Sequence, residues 1–186
     1  NKDSLNLISN IDNPYLGSEY NDIEILNTFK DLKLPQPKKF EKIDLINKVV
    51  DLLIEKKIIA WFQGRSEFGP RALGSRSFLA DPRDDSICLD INKKIKKREL
   101  FRPFAPSVIE EAFQEFFEIS QKSPYMNIVT KVKENKKHQI PAIVHVDHTA
   151  RIHTVSKKSN PLYHMLISKF GEKSGVPILL NTSFNI

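Results

Sequence analysis

Three stretches of this chain carry side chains whose types and spacing suit the handling of anions. The first is Gly64-Arg65-Ser66-Glu67-Phe68-Gly69-Pro70-Arg71-Ala72-Leu73-Gly74-Ser75-Arg76-Ser77. Its glycines let the backbone approach a ligand closely. Arg65, Arg71 and Arg76, spaced by six and then five residues, present forked donors that match phosphate oxygens. The stretch is not a P-loop, because it lacks the Gly-Lys-Ser/Thr ending. The plain alternative is a surface turn with solvated arginines. Three Arg interleaved with three Gly directly after an apolar run weigh against it. The second stretch is Lys94-Ile95-Lys96-Lys97-Arg98-Glu99-Leu100-Phe101-Arg102-Pro103-Phe104-Ala105-Pro106-Ser107. A basic run alone usually marks a solvated face. Here Phe101, Phe104 and two prolines imply a fixed, partly buried path that would hold Arg98 and Arg102 in place. Each hydrogen bond from such a cation to an anion contributes roughly 1.5–3 kcal/mol. The third stretch, Asn181-Thr182-Ser183-Phe184-Asn185, follows the apolar run 177–180. Short polar side chains at a strand end are placed to meet a ligand, although an ordinary Asn/Ser turn is the simpler local reading.

A fourth group, His145-Val146-Asp147-His148-Thr149-Ala150-Arg151, invites a metal reading. On a strand, His145 and Asp147 would share a face while His148 points away. A hydrogen-bonded turn that positions Arg151 is the preferred reading, and no metal site is assigned.

The elements that must position these groups follow from apolar spacing. Residues 1–40 are polar and turn-rich, with little periodicity, and read as an extended arm or connector. Ile43, Ile46, Val49, Val50, Leu53 and Ile54 have helical spacing. Residues 58–62 read as a buried strand and residues 77–80 as another. Residues 86–97 read as a helix, with Ile87, Ile91 and Ile95 four apart. A strand over 104–109, a helix over 110–118 turning Phe113, Phe116 and Phe117 inward, and a basic loop or hairpin over 131–139 come next. Residues 143–146 and 152–155 read as strands joined by a turn. Asn160 is placed to cap a helix over Leu162, Leu166 and Phe170, with Gly175 just past its end. Residues 176–180 form the last strand. The irregular order favours an α/β or α+β fold with a mixed sheet.

Composition bounds the rest. The 186 residues, 40% apolar and 28% charged, suffice for one medium domain with a core, or one domain plus an arm. No apolar run approaches the roughly 20 residues that span a bilayer, so no membrane partner is expected. A single cysteine, Cys88, excludes an internal disulfide framework and any Cys-based zinc site, which suits a cytoplasmic location. The net charge of +6 permits nucleotides, phosphate esters or nucleic acid as partners.

Taken together, the segments resemble a known family. The runs Trp61-Phe62-Gln63-Gly64-Arg65, Gly69-Pro70-Arg71-Ala72-Leu73-Gly74 and Ala80-Asp81-Pro82-Arg83 look like the signature of the nodulation and antibiotic-tailoring O-carbamoyltransferases. Phe101-Arg102-Pro103-Phe104-Ala105-Pro106-Ser107, the segment 145–151 and the segment 181–185 fall in the family's order. The resemblance covers roughly residues 43–186. It implies a YrdC-like domain over residues 41–186, a twisted mixed sheet flanked by helices, cut before the family's further strand and helix. Residues 1–40, with Asn13-Pro14-Tyr15-Leu16-Gly17, resemble the linker from that family's N-terminal transferase domain, which carries the family's metal ion. YrdC-like domains carry a Lys-x-Arg pair and a Ser-x-Asn pair, matched here by Lys96–Arg98 and Ser183–Asn185.

The implied reaction is formation of carbamoyl adenylate from carbamoyl phosphate and ATP, with Mg²⁺ expected alongside ATP. The N-terminal domain then passes the carbamoyl group to an acceptor hydroxyl. Lys96 and Arg98 are expected on phosphate and carbamoyl oxygens as the catalytic pair. Arg65, Arg71, Arg76, Arg102 and Arg151 are expected as further anion contacts, and Ser183 and Asn185 on the adenylate. His148 stands where the family usually has Gly, and His153 where it usually has Gln. The alternatives are a stand-alone adenylate synthase serving tRNA modification, and a non-catalytic nucleic-acid-binding module using the 131–137 loop.

Overall fold

A computed structural model describes residues 13–185 of the chain. Six strands form one twisted mixed sheet in the order β1-β2-β6-β3-β5-β4. They are β1 (Ile59–Phe62), β2 (Arg76–Ala80), β3 (Ala105–Ile109), β4 (Ile128–Lys131), β5 (Thr149–Val155) and β6 (Ile178–Ser183). Neighbours are antiparallel except β3 and β5, which run parallel with Ser107 opposite His153.

Side chains alternate across the sheet, so each face builds its own core. One face carries Leu79, Val155 and Leu179 and is covered by α2 (Lys42–Ile54) and α5 (Pro161–Ser174). Ile46, Val49, Val50 and Leu53 of α2 meet Tyr163, Leu166, Ile167 and Phe170 of α5 there. The other face carries Ala80, Val108, Ile152, Ile178 and Leu180. It is covered by α3 (Ser86–Asp90) with its continuation, by α4 (Phe113–Phe116) and by two 3-10 turns, Glu134–Gln139 and Pro141–Ile143.

The α5 boundaries follow local chemistry. The Asn160 side chain accepts from Tyr163 N at 3.2 Å, Pro161 opens the first turn, and Gly175 closes the helix at φ +78°. Ser86 to Lys96 is helical as expected, but its second half, Ile91–Lys96, widens into a π-helical turn and ends at Lys97 in the left-handed region. That change of pitch re-aims Lys96 and Arg98 relative to a regular α-helix.

Several expectations need correction. The arm is not wholly extended. It contains α1 (Asp22–Asp31), opened by a capping box in which Asn21 Oδ1 accepts from Ile23 N and Glu24 N, and Glu24 Oε2 accepts from Asn21 N. Residues 1–12 lie outside the described residues. Strand β1 is an edge strand and not buried: only Trp61 is covered, while Phe62 is 47% exposed. Residues 110–118 yield a single helical turn, although Phe113, Phe116 and Phe117 are buried as expected. Residues 143–146 do not form a strand. Pro141 starts a 3-10 turn, and His145 N then bonds Thr149 O to close the turn into β5. Among the described residues no helix is long and apolar enough to cross a membrane.

Candidate functional site

The Gly/Arg stretch between β1 and β2 folds as a loop braced from inside by Glu67. Its Oε1 accepts from Leu73 N at 2.7 Å, Ser75 N at 2.8 Å and Arg76 N at 3.3 Å. The loop arches over the ends of β6 and β3 and leaves a cleft of about 220 Å³. Pro70, Arg71 and Ala72 of the loop, Arg98, His145, Arg151 and the strand-end residues Asn181, Thr182 and Ser183 line it. The charged groups of that lining are all cationic, with no carboxylate. A second hollow of about 390 Å³ adjoins it, shares Arg71, Met126 and Arg151, and adds Phe68, Leu73 and Tyr125.

Arg98 is anchored by Asn92, which is fully buried in the π turn. Arg98 Nε donates to Asn92 Oδ1 at 2.7 Å, and Asn92 Nδ2 donates to Leu100 O and Arg102 O. The Arg98 guanidinium also lies 5.0 Å from the centre of the Phe104 ring. Lys96 is buried and reaches the end of β6. Its Nζ donates to Asn185 O and Asn185 Oδ1, both at 2.7 Å, to Ser183 Oγ at 3.1 Å, and to the Ser183 carbonyl. Burial first, and then the Arg98 charge, push the Lys96 ammonium down to about 8. Burial also lowers His145 below its usual range, so its ring adds no positive charge at neutral pH.

The residues singled out in the sequence divide into two groups. Lys96, Ser183 and Asn185 form one hydrogen-bonded cluster, and Arg71, Arg98, Arg151 and Ser183 share the cleft wall. Arg65, Arg76 and Arg102 face elsewhere. Arg65 Nη2 donates to Leu16 O at 3.0 Å. Arg76 lies over the Phe62 ring at 3.5 Å and donates to Gln63 O, Ser75 O, Gly64 O and Ser18 O. These two arginines clasp the arm, whose Tyr15 hydroxyl donates to Leu73 O at 2.9 Å and whose Gly17 N bonds Ser66 O. Arg102 makes an exposed ion pair with Glu99 at 2.9 Å.

The segment 145–151 forms the hydrogen-bonded turn that leads Arg151 into β5, with Asp147 Oδ1 accepting from Thr149 N. His148 sits at φ +63° there, the left-handed region that a glycine adopts without strain. Among the described residues no group of three or more His, Cys, Asp or Glu stands ready to hold a metal ion. Sequence reasoning did not single out Asn92, Glu67 or Asn181. Asn181 had a usable signal: it lies two residues before Ser183, and so on the same face of β6. Glu67 and Asn92 act on backbone groups that only the folded loops bring near them.

Comparison with known proteins then gives a consistent result. The family model described as "Carbamoyltransferase C-terminus" matches residues 50–186. The nodulation protein NolO of Bradyrhizobium diazoefficiens is 51% identical over 145 residues, covering 76% of this chain and 26% of that protein. The nodulation protein NolNO of Sinorhizobium fredii is also 51% identical over 145 residues, covering 76% of this chain and 21% of its own length. A 3'-hydroxymethylcephem-O-carbamoyltransferase of Streptomyces clavuligerus is 38% identical over 152 residues, covering 81% of this chain and 29% of that enzyme. The chain thus spans about a quarter of the length of these curated relatives.

Proposed function

Because the chain belongs to the carbamoyltransferase C-terminal family, we propose that its cationic cleft binds ATP and carbamoyl phosphate and makes carbamoyl adenylate. The observation that carries this reading is the bonding of Lys96 to Ser183 and Asn185 at the end of β6, where Ser183 shares the cleft wall with Arg71, Arg98 and Arg151. Both substrates are polyanions, and chemistry at phosphorus is mainly positioning and charge stabilisation. Fixed guanidinium groups, a buried ammonium and small hydroxyls supply both without a nucleophilic triad. The balanced reaction consumes one water. Water releases carbamate and phosphate from carbamoyl phosphate, and a carbamate oxygen displaces pyrophosphate from the α-phosphorus of ATP.

In this reading Lys96 and Arg98 hold phosphate and carbamoyl oxygens, while Arg71 and Arg151 neutralise the nucleotide phosphates. Ser183 and Asn185 orient the adenylate. Arg65 and Arg76 act one step back, by fixing the loop that carries Arg71, and Arg102 caps the basic segment. The cleft lining offers no carboxylate to a divalent ion. Mg²⁺ would therefore enter on the triphosphate, held by phosphate oxygens and water, and would neutralise charge there. The twisted mixed sheet is read as YrdC-like. Residues 1–40 are read as the connector to a transferase domain that passes the carbamoyl group to an acceptor hydroxyl.

Titration calorimetry with ATP tests the proposal. Arg98→Ala and Lys96→Ala should each weaken binding about 10–100-fold, the loss of one or two charge-assisted hydrogen bonds. Pyrophosphate release that depends on carbamoyl phosphate should appear in the wild type. Unchanged nucleotide affinity in both variants would place the site elsewhere. A module that binds nucleic acid instead would ignore ATP and lose affinity steeply with salt.

A further inference from the structure

We infer that Asn92 is a positioning residue for the cleft: it sets the Arg98 guanidinium end-on to an anionic ligand without neutralising it. The inference rests on the reading of the cleft as a phosphate site. Asn92 is fully buried in the π-helical turn, and the segment 97–102 folds around it. Its main-chain oxygen accepts from Lys97 N and from Arg98 N, the latter at 3.1 Å, as the chain reverses through Lys97 at φ +46°. Its side-chain Oδ1 accepts from Arg98 Nε at 2.7 Å, and its Nδ2 donates to Leu100 O at 3.2 Å and Arg102 O at 3.1 Å. Arginine only donates and carbonyls only accept, so these three bonds fix which way the amide faces. Asn92 lies too deep to meet a ligand itself, so whatever it does for binding it does through Arg98.

What Asn92 leaves free is one edge of that guanidinium. Nε is bonded to the amide, and the group lies over the Phe104 ring, 5.0 Å from its centre. Nη1 and Nη2 have no hydrogen-bond partner among the described residues, and Arg98 lines the cleft. The neighbouring acid, Glu99, is paired with Arg102 at 2.9 Å. A ligand therefore meets the Nη1–Nη2 edge, whose parallel N–H bonds match two oxygens of one phosphate. The amide matters as much as its place. Aspartate has the same shape and would accept from Nε equally well, but its charge would pair with the guanidinium and weaken its pull on a polyanion. Asparagine orients the cation and leaves its charge to the ligand.

A double-mutant cycle on ATP affinity, read by titration calorimetry, tests this. Asn92→Ala should weaken ATP binding about 5–30-fold in the wild-type background, because an untethered guanidinium gives up most of its bonds to phosphate. In the Arg98→Ala background the same substitution should change affinity less than about threefold. A merely structural part for Asn92 would cost affinity alike in both backgrounds; that result, or unchanged affinity in Asn92→Ala, overturns the inference. Asn92→Asp should weaken ATP binding about tenfold or more although Nε keeps its acceptor, and wild-type affinity there refutes the need for a neutral amide. The wild type supplies a check that needs no Asn92 variant to fold. Its Arg98 Nε–H resonance, identified by its loss in Arg98→Ala, should exchange with solvent at least about tenfold more slowly than that of the exposed Arg65 and persist under saturating ATP. Exchange as fast as at Arg65 overturns the inference. If the wild type binds no ATP, or Arg98→Ala binds it as well as wild type does, the reading of the cleft falls and the inference with it; additive losses in the cycle overturn the inference alone.

Discussion

The Lys96 ammonium makes ligand affinity depend on pH in a calculable way. Burial beside Arg98 brings it down from 10.5 to about 8, while His145, lowered by its own burial, stays neutral across the alkaline range. If only the ammonium form holds phosphate, the competent fraction of free protein falls from about 76% at pH 7.5 to about 3% at pH 9.5, so the apparent dissociation constant rises roughly 25-fold. The sign for stability is the opposite. Lys96 binds fewer protons in the folded than in the unfolded chain between pH 8 and 10.5, so its contribution to stability rises with pH through that window. ATP affinity measured by calorimetry at half-unit steps from pH 7.5 to 9.5, beside thermal unfolding of wild type and Lys96→Met, separates the two effects. Lys96→Arg, charged throughout the range, should bind with a nearly flat profile. Lys96→Met should bind weakly at every pH, and its stability relative to wild type should decline as pH rises. A wild-type affinity that stays level to pH 9.5 would refute the assignment of phosphate to this ammonium.

Other outcomes follow from packing. A Cβ at position 74 would lie 2.2 Å from Tyr163 Cδ1, with the backbone at φ +94°. Gly74→Ala should therefore cost about 2–5 kcal/mol from strain plus overpacking and lower the melting temperature by roughly 5–15 °C. Asn160→Ala removes the α5 cap and the acceptor of Gln63 Nε2. It should cost about 1–2 kcal/mol, visible as a melting temperature lower by roughly 2–6 °C. Arg76→Met removes one donor from each of four carbonyls and loosens the clasp on the arm. Hydrogen exchange at the Gly17 and Ser66 amides should then speed up by about tenfold or more, with core strands unaffected.

Much of the fold was legible because its signals are local. The Asn160 cap, Pro161 and Gly175 delimit α5 within a residue of its observed ends, and the isoleucines at 87, 91 and 95 marked the helical segment that carries Lys96. Helix α1 was equally local, since Asn21 and Glu24 form a capping box, but the surrounding turn residues masked it and no buried face reinforced it. Residues 143–146 misled because an apolar run looks alike in a strand and in a covered turn. Here Ala142 and Ile143 are buried under the helical layer while Val146 points to solvent at 99% exposure. The short strand β4 escaped notice, with no residue fully buried along it. For the site, residue types identified the cationic cluster. Its division into cleft-lining arginines and arm-holding arginines was not legible, because guanidinium groups suit phosphate and backbone carbonyl oxygens equally.

The position of β6 has a consequence for how the molecule comes together. The hairpin β1–β2 and the block β3–β5–β4 share no edge; each pairs only with the strand synthesised after both. During translation the two half-sheets can form early but remain separate, with raw edges, until residues 178–183 emerge and slot between them. The same event delivers Asn181, Ser183 and Asn185 to their partners 74 to 109 residues upstream. Pocket and sheet are therefore completed in a single closing step, when the last strand joins the cleft walls that precede it in the chain.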